Sequence, residues 1–320
     1  MDGRCLLKID NLKLSFRNGK NYLQVVRGID LEVNRGEIVG ILGESGSGKT
    51  VSSNSIMGLI DSEEERIDEG EIYFNGKNLL ALTEKEFRKI RGKNISYIFQ
   101  NPAQSLNPYR RVGKQIEEAL KVHGLQCSKD IVLGVMENVG IDDPDLIYNM
   151  YPFQLSGGQC QRVMITIGVI CKPELLIADE PTSSIDASLR KKVLRLLKSI
   201  NVKYGTSIII ITHDFDVARF LCDKVAIMYG GLVMEQGGIR DILEKPLHPY
   251  TKALLECVNS LDEMEDVLFT LEGRPPSPFE FKDECPFYDR CGMGNDMCKK
   301  SIPGIIELEN RKIRCVNFEP

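Results

Sequence analysis

Residues 43–50 read Gly43-Glu44-Ser45-Gly46-Ser47-Gly48-Lys49-Thr50. They fit the pattern G-x-x-x-x-G-K-[ST] and lie between the short apolar run 37–42 and a helix-compatible segment. Glycines allow the backbone N–H groups of such a loop to turn inward and surround phosphate oxygens at the start of a helix. Lys49 is predicted to reach the β- and γ-phosphates and the Thr50 hydroxyl to bind Mg²⁺. A glycine-rich turn without a ligand is the alternative, but the preceding strand favours a nucleotide site.

A second buried strand is predicted at 175–178, and it ends in two carboxylates, Asp179 and Glu180. Asp179 is placed to bind a metal ion and Glu180 to polarise an attacking water. The alternative is that the two acids cap a following helix. Between the two strands, residues 155–159 (Leu155-Ser156-Gly157-Gly158-Gln159) precede the helical pattern 160–170. Ser156 and the bare glycine amides at that helix start predict a second anion site.

The pattern along the chain predicts an α/β fold. Strands at 175–178, 207–211 and 224–229 alternate with helical segments such as 187–204, which favours a largely parallel sheet. The early strands, at 6–16, 22–26, 29–33 and 70–74, and the helical region at about 101–170 are additions to that core. The composition changes beyond Asn259, so we expect one domain over 1–260 and an extension over 261–320 that includes the linker Pro275–Pro278.

Composition excludes several classes of protein. Lys and Arg number 41 and Asp and Glu 46, so the net charge is −5 and a general nucleic-acid binder is not expected. The longest apolar runs, 163–170 and 208–211, are much shorter than the ~18–20 residues of a membrane-spanning helix. The N-terminus shows no apolar run of a signal peptide, so we expect the chain to stay in the cytosol.

Four of the ten cysteines, Cys285, Cys291, Cys298 and Cys315, lie in the last 36 residues. Such a cluster in a reducing compartment favours a metal site over disulfides. The spacing matches neither the tight pairs of zinc sites nor the runs of ferredoxins. Four thiolates suit an iron–sulfur cluster or zinc, and unligated or disulfide-linked cysteines remain an alternative. The six scattered cysteines are interpreted as small buried apolar residues.

Together these motifs resemble those of the ATP-binding cassette (ABC) ATPases, over essentially the whole chain. The resemblance implies a P-loop ATPase with a RecA-like core, an antiparallel β subdomain, an inserted helical subdomain and here a Cys-rich C-terminal extension. In that family the Leu-Ser-Gly-Gly-Gln segment binds the γ-phosphate of ATP held by the opposite subunit. Two cassettes, either identical or homologous, therefore enclose two nucleotides.

The resemblance extends to four further positions. Gln100 matches the glutamine that contacts Mg²⁺ and the water, and Asp186 belongs to a loop that crosses to the other subunit. His213 matches the histidine on the γ-phosphate. Phe16 matches the aromatic residue that stacks on adenine, with Tyr22 as an alternative. The resemblance implies ATP and Mg²⁺ as cofactors. It implies that Thr50, Gln100 and Asp179 bind Mg²⁺ and that Glu180 orients the attacking water. It also implies that Lys49, His213 and Ser156 supply a positive field around the transferred phosphate.

Downstream features resemble the oligopeptide/dipeptide/nickel subgroup of ABC importers. They are His248-Pro249-Tyr250-Thr251, the proline-rich linker, the segment 101–112 and the cysteine tail. Some members carry a [4Fe–4S] cluster in this tail, which favours that cluster over zinc here. His248 itself is interpreted as a loop residue rather than a ligand.

The resemblance implies an ATP-hydrolysing subunit that powers peptide import from the cytoplasmic face of the membrane. Its implied partners are two transmembrane permease subunits, a second ATP-binding subunit and, indirectly, an extracytoplasmic solute-binding protein. Import of nickel or a metal chelate is the alternative within the family. A non-transport ABC ATPase and an Fe–S sensor are alternatives of other classes.

Overall fold

The computed structural model describes residues 4–61, 63–183, 187–262 and 271–318. The strands in chain order are β1 (Cys5–Asn18), β2 (Asn21–Asn34), β3 (Ile38–Leu42), β4 (Glu65–Phe74), β5 (Lys77–Asn78), β6 (Ile95–Ile98), β7 (Leu175–Asp179), β8 (Ser207–Thr212), β9 (Lys224–Tyr229), β10 (Leu232–Gly238), β11 (Ile306–Leu308) and β12 (Arg311–Ile313). The α-helices are α1 (Lys49–Ile56), α2 (Glu84–Ile90), α3 (Pro102–Ser105), α4 (Val112–Lys121), α5 (Lys129–Asn138), α6 (Pro144–Asn149), α7 (Gly157–Val169), α8 (Ala187–Tyr204), α9 (Phe215–Leu221), α10 (Ile239–Glu244), α11 (Pro249–Asp262) and α12 (Asp296–Lys300).

The chain divides into two compact units. Unit 1 contains Met1–Val33, Val39–Leu80 and Thr212–Pro320, and unit 2 contains Asn34–Ile38 and Ala81–Ile211. The C-terminal residues from 271 onward therefore pack within unit 1. The predicted boundary at 260/261 falls in the last turn of α11, which ends at Asp262, just before residues 263–270, which lie outside the described ranges. No helix in the described ranges is long and apolar enough to span a membrane.

Unit 1 contains an antiparallel sheet in the strand order β2-β1-β4-β5. The sequence predicts two short strands at 22–26 and 29–33, but β2 is continuous from Asn21 to Asn34. Gly28 explains the difference, because its φ of +109° is a conformation that other residues rarely adopt. A Cβ atom there would also lie 2.9 Å from the Asn11 side chain on β1. Strand β2 thus continues through Gly28, which lies in the gap between the two predicted strands.

The second group of strands in unit 1 has the order β11-β12-β10-β9-β3. All five residues of β3 are buried, and β3 pairs in parallel with β9, with Val39 opposite Lys224. Continuous burial on both faces is typical of a central parallel strand. At the other edge β12 pairs with β10, with Glu235 opposite Ile313, so the C-terminal tail extends this sheet.

Unit 2 contains the parallel strands β8-β7-β6 and a cluster of helices, α3 to α7, in the region predicted to be helical. Leu175 of β7 lies opposite Ile95 of β6 and Ser207 of β8, and all residues of β7 and β8 are buried. The helices enclose their own apolar core, which includes Val112, Ile116 and Val163. The carboxyl ends of three parallel strands therefore meet at one edge of unit 2.

Candidate functional site

The phosphate-loop segment forms the turn between β3 and α1 in unit 1. Lys49 is only 8% exposed, and its Nζ donates to the carbonyl oxygens of Gly43 and Glu44, both at 2.8 Å. Ser45, Gly46 and Thr50 are exposed. The loop thus closes around its lysine as a compact ring with the Thr50 hydroxyl at the start of α1.

Glycine is required where the loop leaves β3. Gly43 has φ +151°, and a Cβ there would lie 2.1 Å from the carbonyl oxygen of Met228 on β9. Gly46 and Gly48 also have positive φ, at +80° and +98°. Ser47 is buried, and its Oγ has no hydrogen-bond partner among the described residues. The cradle is therefore set by backbone geometry that only glycine provides at low cost.

Glu44 is held by two side chains of unit 1, those of Tyr250 and Arg290. Its N–H donates to the Tyr250 hydroxyl at 3.1 Å. Its carboxylate accepts from Arg290, which also bonds the Tyr229 hydroxyl at 3.1 Å. Burial raises the pKa of the Tyr229 hydroxyl, so it stays protonated. Sequence reasoning missed this contact, because Glu44 and Arg290 are 246 residues apart.

Asp179 and Glu180 lie at the end of β7 in unit 2. Asp179 is 4% exposed and accepts a hydrogen bond from the Tyr97 hydroxyl at 3.0 Å. Glu180 takes a left-handed backbone conformation with φ +46°, and its N–H donates to the carbonyl of Ile211 on β8 at 2.9 Å. A non-glycine residue in that region indicates local strain held by the surrounding structure, which is common at active sites. Tyr97 was not among the predicted site residues, although its place on the strand before Gln100 was a usable signal.

Residues 156–159 begin helix α7, as the sequence predicts. Ser156 is the N-cap residue: its Oγ accepts from the Gln159 N–H at 3.3 Å, and the Gln159 side chain accepts from the Ser156 N–H at 2.9 Å. Ser156 and Gly157 are exposed, whereas a Cβ on Gly158 would lie 2.3 Å from Leu189 of α8. The reciprocal bonds fix an exposed helix start that points backbone amides at solvent.

The other predicted residues lie at element ends. Gln100 is exposed just after β6 in unit 2, and His213 is exposed just after β8 in unit 1. Phe16 is half-buried on β1, whereas the ring of Tyr22 is covered on one face by the Arg66 guanidinium at 4.1 Å. Asp186 lies outside the described residues.

The four tail cysteines gather in unit 1. Burial, together with the neighbouring Cys298, Cys291 and Cys315, raises the pKa of the Cys285 thiol to about 12. The Cys285 N–H donates to the Cys298 carbonyl at 2.8 Å, and the Asn317 side chain donates to the Cys298 sulfur at 3.6 Å. Within the described ranges no group of three or more His, Cys, Asp or Glu side chains is arranged to hold a metal ion. His248 is buried, and its Nδ1 accepts the N–H of Tyr250 at 3.0 Å, so it acts as a loop residue.

Comparison with known proteins is consistent with this geometry. Residues 26–183 match the ABC transporter family, and residues 234–298 match the C-terminal region of oligopeptide/dipeptide transporters. The oligopeptide transport ATP-binding protein AppD of Bacillus subtilis (strain 168) is 40% identical over 318 residues, which is 98% of this chain and 97% of that protein. The chain belongs to the ABC transporter family.

Two further relatives are also ATP-binding proteins of peptide transport. The dipeptide transport ATP-binding protein DppD of Bacillus subtilis is 41% identical, covering 97% of this chain and 94% of that protein. The oligopeptide transport ATP-binding protein OppD of Escherichia coli (strain K12) is 38% identical, covering 98% and 93% respectively.

Solved structures show the same fold. A dimeric ATP-binding cassette bound to ADP and Pi superposes with a TM-score of 0.66 and 29% identity, covering 73% of this chain and 99% of that chain. The cassette cbiO1 from Clostridium perfringens gives a TM-score of 0.64 and 26% identity, covering 76% and 92%. The expected α/β cassette fold is confirmed. The activity of this family is Mg²⁺-dependent hydrolysis of ATP.

Proposed function

We propose that this chain is the ATP-hydrolysing subunit that powers peptide import through a membrane ABC transporter. The observation that carries the proposal is similarity over nearly the whole chain, at about 40% identity, to ATP-binding proteins of oligopeptide and dipeptide transport. The match over residues 234–298 includes the motif 248–251 and three of the tail cysteines.

In the proposed ATP site, the loop residues Gly43 to Thr50 cradle the phosphates. The Lys49 ammonium, positioned by the carbonyls of Gly43 and Glu44, donates to the phosphate oxygens. Mg²⁺ would be held by Thr50, Asp179 and Gln100 and would neutralise charge on the phosphates. The hydroxyl and carboxylate donors suit this ion, and the Asp179 carboxylate is already oriented by Tyr97.

Hydrolysis then depends on positioning and on charge. Glu180, which follows β7 in a left-handed backbone conformation, orients the attacking water. Lys49 supplies positive charge and His213 a hydrogen-bond donor as charge develops on the γ-phosphate. Phe16 stacks on the adenine, since one face of the Tyr22 ring, the alternative stacking residue, is already covered by Arg66.

The proposal includes a partner across the nucleotide. Ser156, Gly157, Gly158 and Gln159 form the exposed helix start that would contact the γ-phosphate bound by the opposite ATP-binding subunit, with Asp186 in a loop that crosses to it. Two permease subunits would hold the pair at the cytoplasmic face of the membrane, and a solute-binding protein would deliver the cargo from the other side.

The finer proposal for the tail is a [4Fe–4S] cluster on Cys285, Cys291, Cys298 and Cys315. Four mutually interacting thiols are a donor set that suits such a cluster, although their side chains are not yet arranged around a common centre. Anaerobically purified protein should be brown, absorb near 400 nm and contain iron and sulfide. Colourless protein with stoichiometric zinc would contradict the cluster.

Coupled ATPase activity tests the proposed function. The chain is co-expressed with candidate permease subunits, reconstituted in vesicles and assayed with a solute-binding protein loaded with peptide. We expect peptide to stimulate ATP hydrolysis, and Lys49→Ala to abolish the stimulated rate. Stimulation by nickel or a chelate alone would favour the alternative cargo, and failure to associate with any membrane subunit would contradict a transport role.

A further inference from the structure

The cysteine-rich tail contacts the phosphate loop through Arg290 and Glu44. Arg290, next to Cys291, donates from one guanidinium nitrogen to both carboxylate oxygens of Glu44, at 3.0 and 3.1 Å. The Arg290 side chain is only 7% exposed and that of Glu44 is 24% exposed. A pair that is shielded in this way is screened much less by solvent and salt than a surface pair.

Arg290 is positioned by the tail itself. Its Nε donates to the carbonyl of Glu272 at 2.9 Å, and its own N–H donates to the carbonyl of Phe287 at 3.0 Å. The Phe287 ring in turn packs against Tyr229 and Tyr250, with ring centroids 5.4 and 5.2 Å apart. The place of the guanidinium therefore depends on the fold of residues 285–291.

Glu44 connects Arg290 to Lys49, the lysine of the phosphate loop. The Glu44 carbonyl accepts from Lys49 Nζ at 2.8 Å, while its N–H is held by the Tyr250 hydroxyl at 3.1 Å. The side chain, N–H and carbonyl of one residue thus contact the tail arginine, a buried tyrosine and the phosphate-loop lysine. A continuous chain of polar contacts joins Arg290 to Lys49.

We propose that Arg290 is a positioning residue that couples the cysteine-rich tail to the phosphate loop, so that nucleotide affinity depends on an intact 285–291 loop. This inference rests on the proposed function, in which the loop binds ATP. Coupling between two sites is reciprocal, so bound nucleotide must stabilise the tail by the same factor. Thiols in the tail should then react more slowly when ATP is bound.

Affinity measurements test the coupling in the full-length chain carrying Glu180→Gln, which limits turnover. Arg290→Ala should weaken ATP binding about fivefold or more, and in the hydrolysing protein it should raise KM more than it lowers kcat. Arg290→Lys keeps the charge and should recover part of the affinity. The matched control is Arg274→Ala, since Arg274 lies in the same tail but is exposed and pairs with Glu280, and it should leave affinity unchanged.

A double-mutant cycle assigns the effect to the pair. Arg290→Ala combined with Glu44→Gln should weaken binding less than the sum of the two single changes, because both remove the same contact. Full additivity would overturn the coupling through Glu44. Wild-type affinity in a folded Arg290→Ala protein would overturn the inference while leaving the proposed function standing, whereas a wild-type chain that binds no ATP would overturn the function first.

A measurement on the unaltered chain covers the case in which Arg290→Ala fails to fold. The rate at which a thiol reagent modifies the tail cysteines is followed with and without Mg·ATP, in protein from which any metal or cluster at the tail has been removed. Slower modification with nucleotide supports the coupling. An unchanged rate, at nucleotide concentrations shown to saturate the site, overturns it.

Discussion

The Tyr97 hydroxyl donates a hydrogen bond to the Asp179 carboxylate at 3.0 Å, and both residues are buried. Tyr97→Phe removes this donor and leaves the ring in place. If Asp179 holds Mg²⁺, its carboxylate loses orientation. The Mg²⁺ concentration for half-maximal ATPase activity should then rise roughly tenfold or more, because a hydrogen bond to a charged group contributes about 1.5–3 kcal/mol. ATPase assays at saturating ATP and varied Mg²⁺ measure the change.

Tyr73→Phe is the matched control for this experiment. The Tyr73 hydroxyl donates to the Glu71 carboxylate at 2.6 Å on β4, in the antiparallel sheet. Its removal should leave the Mg²⁺ dependence unaltered. Equal shifts in the two variants would mean that Tyr97 acts only through general stability.

Glu180 is the residue that we expect to orient the attacking water. Glu180→Gln keeps the size and hydrogen-bonding atoms of the side chain but removes its charge, so ATP should still bind while kcat falls about a hundredfold or more. Nucleotide binding and single-turnover hydrolysis separate the two effects. Glu137→Gln on the exposed end of α5 is the control, and normal turnover by the Glu180 variant would refute the assignment.

Sequence alone was sufficient for the parts of the site whose geometry is local. The glycines of the phosphate loop and the Ser156–Gln159 capping box take their conformation from adjacent residues, and the structure places each segment at the helix start that the pattern predicts. The contact of Glu44 with Arg290 depends instead on how the tail packs, and no local pattern encodes it. Long-range polar contacts are thus the residue-level information that the sequence lacks.

Helix α4 carries a buried carboxylate with a pH-dependent contribution to stability. Glu117 accepts hydrogen bonds from Lys121 at 2.7 Å, from the Tyr148 hydroxyl and from Lys114 at 3.0 Å. These bonds, led by that from Lys121, lower the pKa of Glu117 from 4.5 to about 2. A carboxylate with a lowered folded-state pKa stabilises the protein above its unfolded pKa, and this contribution is lost as the pH falls from 4.5 towards 2.

Glu117→Gln should therefore lower the free energy of unfolding by about 1–3 kcal/mol at pH 7, the cost of losing hydrogen bonds to a charged group. The difference from wild type should shrink as the pH is lowered through this window. Denaturant titrations at several pH values measure it. Glu118→Gln is the control, because Glu118 is next to Glu117 but pairs on the surface with Arg110. A loss of stability in Glu117→Gln that does not depend on pH would contradict the charge-based account.

Elements follow the sequence pattern where burial is continuous or strictly periodic. Helix α8 spans 187–204 as predicted, and β7, β8 and β9 lie within one residue of the expected ranges. The pattern fails at β2, where a glycine continues a strand, and at β12, which is only three residues long and joins β10 from far along the chain. Short strands added by a C-terminal segment carry too little periodicity to be predicted.

At the scale of the whole molecule, the exposed start of α7 is the surface that we propose contacts a second chain. Ser156 and Gly157 present the amino end of a 13-residue helix to solvent, where the helix dipole favours an anion. One of the solved structures with the same fold is a dimeric cassette bound to ADP and Pi. We expect the Glu180→Gln chain, saturated with Mg·ATP, to pair with itself or with a homologous ATP-binding subunit, and light scattering to show the doubled mass.

A charge placed at Gly157 tests whether this helix start makes the contact. A Cβ atom there meets nothing within 4 Å, so Gly157→Asp and the uncharged Gly157→Asn both fit, and an acidic residue in the first helical turn does not destabilise α7. In the Glu180→Gln background, Gly157→Asp should repel the partner's γ-phosphate and prevent pairing, whereas Gly157→Asn should pair. Each variant alone should still bind ATP, because its own phosphate loop is unaltered. Equal pairing by both would show that the helix start lies away from the nucleotide, and a Glu180→Gln chain that pairs with neither partner would remove the two-chain mechanism altogether.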